Sequence, residues 1–486
     1  MSLLHPLLSR SPWATALLAV ALAGCASGDA PPAPRADGPG ATLWLTTGDK
    51  TQLLARSEAG RFGSGAAAGL VIDIDDTQRF QRMVGFGASI TDATAILMQR
   101  HMSAAQREAL LQELFGRGEG GVGFELTRLT LGASDFSPTH FSYNDMPPGQ
   151  TDPGLTRFSI EPMRSDVLPT LKRALAINPQ LTVMASPWSA PGWMKSNDKL
   201  IQGSLKPEHY GAFARYLVKY VDAMAAEGVT IAALTIQNEP HFEPPGYPGM
   251  RVDPAARAAV VGQHLGPLLE QRGLRTQIIE WDHNWDEPAA PLAMLADATA
   301  RRYVSGVGWH CYAGEVSVQS RVHDAHPDKD TWFTECSGGN WKPNWPETLP
   351  WMARNIVIGS TRHWARGVQM WNLALDENHG PKLGGCPDCR GVVTIDSRTG
   401  AVTRNLEYYA LAHASKFVRR DAQRVASTAV GEGVDNVAFR NADDGSLVLV
   451  LSNSSAAARA LSVRHAGRVL ALTLPRESVA TLVWQP

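Results

Sequence analysis

The chain is poor in the features that mark most binding and cofactor classes. Charge of one sign is missing: 45 Lys and Arg face 47 Asp and Glu, for a net charge of -2. No basic stretch stands out, which argues against nucleic acid as a partner. No GxSxG, HExxH or P-loop occurs. The one glycine-rich match, GEGGVG at Gly118 to Gly123, precedes an apolar strand instead of following one, so the dinucleotide reading fails on context. Long apolar runs are missing too. Trp13 to Ala23 follows Arg10 and is too short for a stable membrane span. Cysteine is scarce, at 5 in 486 residues, and aromatics make up 7%, although 14 of those are Trp.

The apolar run near the N-terminus ends in Leu22-Ala23-Gly24-Cys25. This resembles the bacterial lipobox, and residues 1–25 read as a lipoprotein signal peptide with Cys25 as the lipidated residue. Ala26 follows in place of the Asp that marks inner-membrane retention. The expectation is an exported outer-membrane or periplasmic lipoprotein of a Gram-negative bacterium, meeting the membrane through its lipid anchor, or otherwise a secreted protein whose Cys25 is incidental. Residues 26–40 are rich in Pro, Ala and Gly and suit a flexible tether. Of the other cysteines, Cys386 and Cys389 form a CxxC, read as a loop disulfide in an oxidising compartment. Cys311 and Cys336 lie in strand-like runs and read as buried thiols. No second ligand pair suggests zinc.

Eight apolar strands alternate with long amphipathic segments: Met83 to Gly87, Leu126 to Leu131, Thr182 to Ser186, Ala233 to Gln237, Thr276 to Glu280, Val307 to Tyr312, Trp332 to Glu335 and Gly367 to Leu373. Eight such units predict a (β/α)8 TIM barrel over residues 81–385. Short strands with turn residues and no long helix follow, so residues 386–486 read as a β-sandwich. The early strands of residues 41–80 are expected to join it.

Chemistry gathers where the strands end. Strand four stops at Asn238-Glu239-Pro240, and strand seven at Glu335. The other ends carry Arg128, Asp135, Trp188, His283, His310, Tyr312, Trp371 and Asn372. A barrel places such ends around one mouth. Two carboxylates among Trp, Tyr, Asn and His fit glycoside cleavage. The leaving oxygen needs a proton, and the cation-like anomeric centre needs a second carboxylate. Aromatic faces pack on sugar C–H surfaces while amides bond hydroxyls.

The blocks GFGASITDA, LTRLTLGASDFS, ASPWSAPGWMKSN, LTIQNEP, GVGWHCYAG, FTECSGG and WNLALDENHGP resemble glycoside hydrolase family 30, which includes glucosylceramidase. They run in the family's order from Gly85 to Pro381. The tail NLEYYALAHASKFVRRDAQRV resembles the family's return into its side sandwich. The resemblance implies a retaining enzyme with Glu239 as acid/base and Glu335 as nucleophile, and without a cofactor or metal. It implies that Arg128, Asp135, Trp188, Asn238, Tyr312 and Trp371 line the glycone subsite, with His283 as a further contact. Arg128 should favour the ionised form of Glu335, and the surroundings should keep Glu239 protonated. A structural ion pair between Arg128 and Asp135 is the plainer alternative. The first expectation for the substrate is a β-glucoside or glycolipid, glucosylceramidase-like. A β-1,6-glucan is the alternative, xylan a lesser one, and a non-catalytic carbohydrate-binding lipoprotein the reading from another class.

Overall fold

The computed structural model describes residues 37–486. The lipobox-like stretch ending at Cys25 and nearly all of the tether lie outside the described residues. No described helix is long and apolar enough to cross a membrane.

Eight parallel strands close into a barrel: Gly85–Ser89, Leu126–Leu131, Thr182–Pro187, Ala233–Thr235, Gln277–Asn284, Val304–His310, Asp330–Glu335 and Ala365–Asn372. They are numbered one to eight below. Strand eight pairs with strand one and completes the ring. The strands are apolar in near-continuous runs because helices cover their outer faces and side chains fill the inside. One interior layer packs Leu126, Met184, Ala233, Ile279 and Trp332 together. The Trp332 ring occupies space that a side chain at Gly367 would take: a Cβ there would lie 2.5 Å from the indole.

Nine strands form the second unit. Their order is Ala55–Arg61, Gly40–Thr47, Ser478–Trp484, Leu447–Asn453, Val434–Arg440, Gln423–Ser427, Leu70–Arg82, Arg459–His465 and Arg468–Leu474. The three N-terminal strands therefore belong to the C-terminal β-sandwich. Its core holds Ile72, Leu449, Leu451, Val463, Leu482 and Trp484. Residues 389–404 depart from the expected sandwich. Val393–Ile395 pairs with Ala374–Leu375 and Val402–Arg404 in a separate small sheet beside the barrel. A helix, Leu406–Ser415, then follows where none was expected, and all ten of its residues are buried. It wedges between the two units. His413 bonds Thr481 and Thr46, on two neighbouring strands of the sandwich. Burial depresses the His413 pKa to about 3, so the imidazole is neutral there.

The cysteines correct a further expectation. Cys311 and Cys336 are joined in a disulfide, with Cα atoms 5.4 Å apart. Each follows the last residue of its strand, six and seven, and neighbouring parallel strands bring such positions within bridging distance. Cys386 and Cys389 are joined as well.

Candidate active site

The strand ends converge on a cavity of about 480 Å³ at the barrel's C-terminal mouth. Asp135, Trp188, Asn238, Glu239, His283, Tyr312, Glu335 and Trp371 line it. Arg128 does not. It is wholly buried beneath the floor, where it makes three charged or polar contacts. Its Nη1 donates to Glu335 Oε2 at 2.7 Å, and its Nη2 donates to Asp282 Oδ2 at 2.7 Å and Asn238 Oδ1 at 2.6 Å. Arg128 is therefore a support and not a lining group. Asp135 is not its partner. Above the guanidinium stand Trp188 and Trp371, stacked at 4.9 Å and 19°, with the cation 4.9 Å from the first ring and 5.4 Å from the second.

Asp282 carries more of the site than the sequence suggested. Strand five continues past Glu280 to Asn284, and its register slips between Trp281 and His283. Trp281 and Asp282 both hold positive φ, 73° and 57°. This bulge turns Asp282 inward, fully buried, to meet Arg128, Ser186 and His310. Glu239 also sits at positive φ, 47°. Its amide donates to the Asp282 carbonyl at 3.1 Å, so the two strained positions brace each other.

His310 ties the carboxylates together. Its Nε2 lies 3.0 Å from Asp282 Oδ1, and its Nδ1 lies 3.0 Å from Glu239 Oε1 and 4.0 Å from Glu335 Oε1. Burial alone would lower the His310 pKa. The Glu335 charge and the bonds to Asp282 and Glu239 outweigh it and raise the pKa to about 9. His310 is thus an imidazolium at neutral pH, with both N–H groups donating to carboxylates.

Burial pushes Glu239 upward, but the imidazoles of His283 and His310 outweigh it and bring the pKa to about 2. The expectation of a protonated Glu239 does not hold: the imidazoles favour its carboxylate, and the proton rests on His310, one hydrogen bond away. Burial raises Glu335, with His310 and Arg128 opposing and the charges of Glu239 and Asp282 adding to it. Tyr312 donates its hydroxyl to Glu335 Oε1 at 2.9 Å. Burial and the Glu335 charge push Asp135 well above the ordinary carboxylate range. A protonated Asp135 would face the cavity as a donor.

His283 Nδ1 lies 3.4 Å from Glu239 Oε1. Among the described residues, Glu239, His283 and His310 could offer atoms to one cation, all within 4.8 Å. His310 has a carboxylate on each nitrogen and no free lone pair, so the donor set fits proton handling and not ligation. Phe242, Tyr247, Asn284 and Trp341 complete the cavity wall with Gly385, Cys386 and Cys389. Of the first four, only Asn284 was visible in the sequence, at the end of strand five. Phe242, Tyr247 and Trp341 sit on loops, where no strand or helix period marks which way a side chain faces.

Residues 83–418 match the model of the glycosyl hydrolase family 30 TIM-barrel domain, and residues 421–482 match that of the family 30 β-sandwich domain. The chain belongs to glycosyl hydrolase family 30. It is a glycoside hydrolase, and its eight-stranded barrel with a side sandwich is the family's fold. An endo-1,6-β-D-glucanase of Neurospora crassa is 36% identical over 439 residues, 87% of this chain and 89% of that protein. The lysosomal acid glucosylceramidase of Mus musculus is 28% identical over 429 residues, 82% of this chain and 79% of that protein. A solved endo-β1,6-glucanase superposes with a TM-score of 0.84 at 32% identity, covering 92% of this chain and 100% of that one.

Proposed function

We propose that this family 30 hydrolase is an endo-acting β-1,6-glucanase that works by double displacement with retention. The observation that carries the chemistry is the pair of carboxylates on one His310 nitrogen. The distances of 3.0 and 4.0 Å hold the facing oxygens of Glu239 and Glu335 to at most about 7 Å apart. That range covers the roughly 5 Å spacing of retaining enzymes and reaches only the lower edge of the inverting range, about 6.5–9.5 Å. The linkage is supported by the Neurospora crassa and solved glucanases, both more similar to this chain than the mouse glucosylceramidase. The glucosylceramidase-like reading, first in the sequence, yields to this one.

In the first step Glu335 attacks the anomeric carbon. The bond to the leaving O6 breaks, and that oxygen takes a proton from Glu239. The imidazolium of His310, bonded to Glu239, supplies that proton to the carboxylate. In the second step Glu239 takes a proton from water as the water oxygen attacks the anomeric carbon and frees Glu335. Arg128 and Tyr312 hold Glu335 from two sides, so its two oxygens are fixed before substrate arrives. Trp188 and Trp371 offer packed aromatic surface beside the sugar.

Digestion of β-1,6-glucan, glucosylceramide and xylan in parallel tests the assignment. β-1,6-oligosaccharides of several lengths should appear early from the glucan. Glucosylceramide cleavage with an untouched glucan would overturn the linkage assignment. Export and lipidation at Cys25 belong to the same proposal. Mass spectrometry of the mature N-terminus checks them: a diacylglyceryl-modified Cys25 is expected, and a chain that retains Met1 would refute them.

A further inference from the structure

All four cysteines among the described residues stand at the barrel's mouth, and the Cys311–Cys336 bridge lies inside the catalytic cluster. Cys311 separates His310 from Tyr312. Cys336 follows Glu335, and its carbonyl accepts from the Trp371 amide at 2.9 Å. His310, Tyr312, Glu335 and Trp371 are therefore each one residue or one hydrogen bond from the bridge.

The pairing of strands six and seven explains why a covalent tie matters there. Their register slips between Phe333 and Glu335, and the last matched pair is His310 with Glu335. No ladder hydrogen bond continues beyond it. Residues 311–314 are bends without regular structure. Tyr312 is 45% exposed. Besides its hydroxyl bond to Glu335, its amide donates to Asn284 Oδ1 at 3.0 Å. Such a segment opens at little cost without a further restraint. Cys336, by contrast, is 1% exposed and fixed in the core. The bridge transfers the rigidity of the second position to the first.

We propose that the Cys311–Cys336 disulfide is a positioning element for hydrolysis: it holds the Tyr312 hydroxyl on Glu335, so the oxidised protein is the fully competent enzyme. The proposal rests on Glu335 being the nucleophile. It treats the bridge as more than a brace for the fold. Cys311 lines a second cavity of about 440 Å³ together with Tyr312 and Trp341, which brings a small dithiol to its side of the bridge. Reduction there takes two electrons and two protons from the dithiol, leaves two cysteine thiols, and converts the dithiol to its own disulfide.

A double-mutant cycle tests this. The Cys311→Ala/Cys336→Ala protein, compared with wild type on β-1,6-glucan, should lose roughly 10-fold in kcat with KM within about 2-fold, the pattern of lost alignment. Tyr312→Phe should lose a similar factor in the bridged protein, yet less than about 2-fold more in the bridge-free one. Wild-type kcat without the bridge, or fully additive losses, overturns the proposal. Loss of activity in Glu335→Gln is read separately, so a failed nucleophile assignment is not mistaken for a failed bridge. Should the double variant not fold, Cys386→Ala/Cys389→Ala protein is treated with dithiothreitol until two new thiols per chain are counted. Activity should fall as they appear and return on reoxidation. Two new thiols with undiminished activity overturns the proposal.

Discussion

Replacing Arg128 with Met exposes how much of the site rests on one buried cation. The substitution keeps the length of the stem and removes the guanidinium. Two carboxylates, Asp282 and Glu335, then lose their 2.7 Å partner while still buried. Removing one member of a buried ion pair costs about 3–5 kcal/mol, because the other charge is left uncompensated. With an unfolding entropy of about 2.1 cal/mol/K per residue, a cooperative unit of roughly 450 residues loses about 3–5 °C in Tm for that penalty. The pH dependence identifies the cause. Arg128 lowers both carboxylates, so without it the folded-state pKa values of Asp282 and Glu335 rise relative to wild type. A raised folded pKa gives stability that is present below the unfolded value and lost as pH rises through the folded one. The deficit against wild type should therefore shrink between pH 7 and pH 5. Calorimetry of both proteins at the two pH values measures it. A Tm within about 1 °C of wild type at pH 7, or a deficit that grows on acidification, refutes the reasoning.

Other outcomes follow from the same geometry. Glu335→Gln and Glu239→Gln should each lose most turnover on the glucan. An aryl β-glucoside with a good leaving group, which needs no proton, should partly restore the Glu239 variant alone, as initial rates will show. The His310 pKa, raised to about 9, predicts that kcat/KM falls as pH rises through about 9, when the proton bound for Glu239 is lost. The stabilising contribution of His310 is complete below about 6.5 and disappears over the window from there to about 9. Matched pH–rate and melting profiles check both. A His310→Asn protein that keeps the basic limb contradicts the assignment.

The barrel was legible because apolar runs bounded by turns need no partner to be recognised. Leu126–Leu131 came out at its true bounds. Glu239 and Glu335 were legible for a related reason: each ends such a run. What escaped depended on bulges and neighbours. Asp282 sits within a register slip that breaks the two-residue alternation, so strand five seemed to stop at Glu280. Leu406–Ser415 has no polar face, because it is buried on every side between two units, and a helix of that kind shows no amphipathic period. The Cys311–Cys336 bridge spans 25 residues. Only the adjacency of strands six and seven brings its halves together. His310 was visible at a strand end, but its role comes from two carboxylates 28 and 71 positions away.

Glu335 is the attacking group in the proposed reaction. Incubation with a 2-deoxy-2-fluoro-β-glucosyl fluoride, followed by peptide mass mapping, tests that directly. The fluorine slows both steps, and the good leaving group lets the first one proceed, so the covalent intermediate accumulates. One fluoroglucosyl adduct per chain is expected, on the peptide that carries Glu335. An adduct on Glu239 or another carboxylate would contradict it, as would turnover of the glucan by a protein that never forms an adduct.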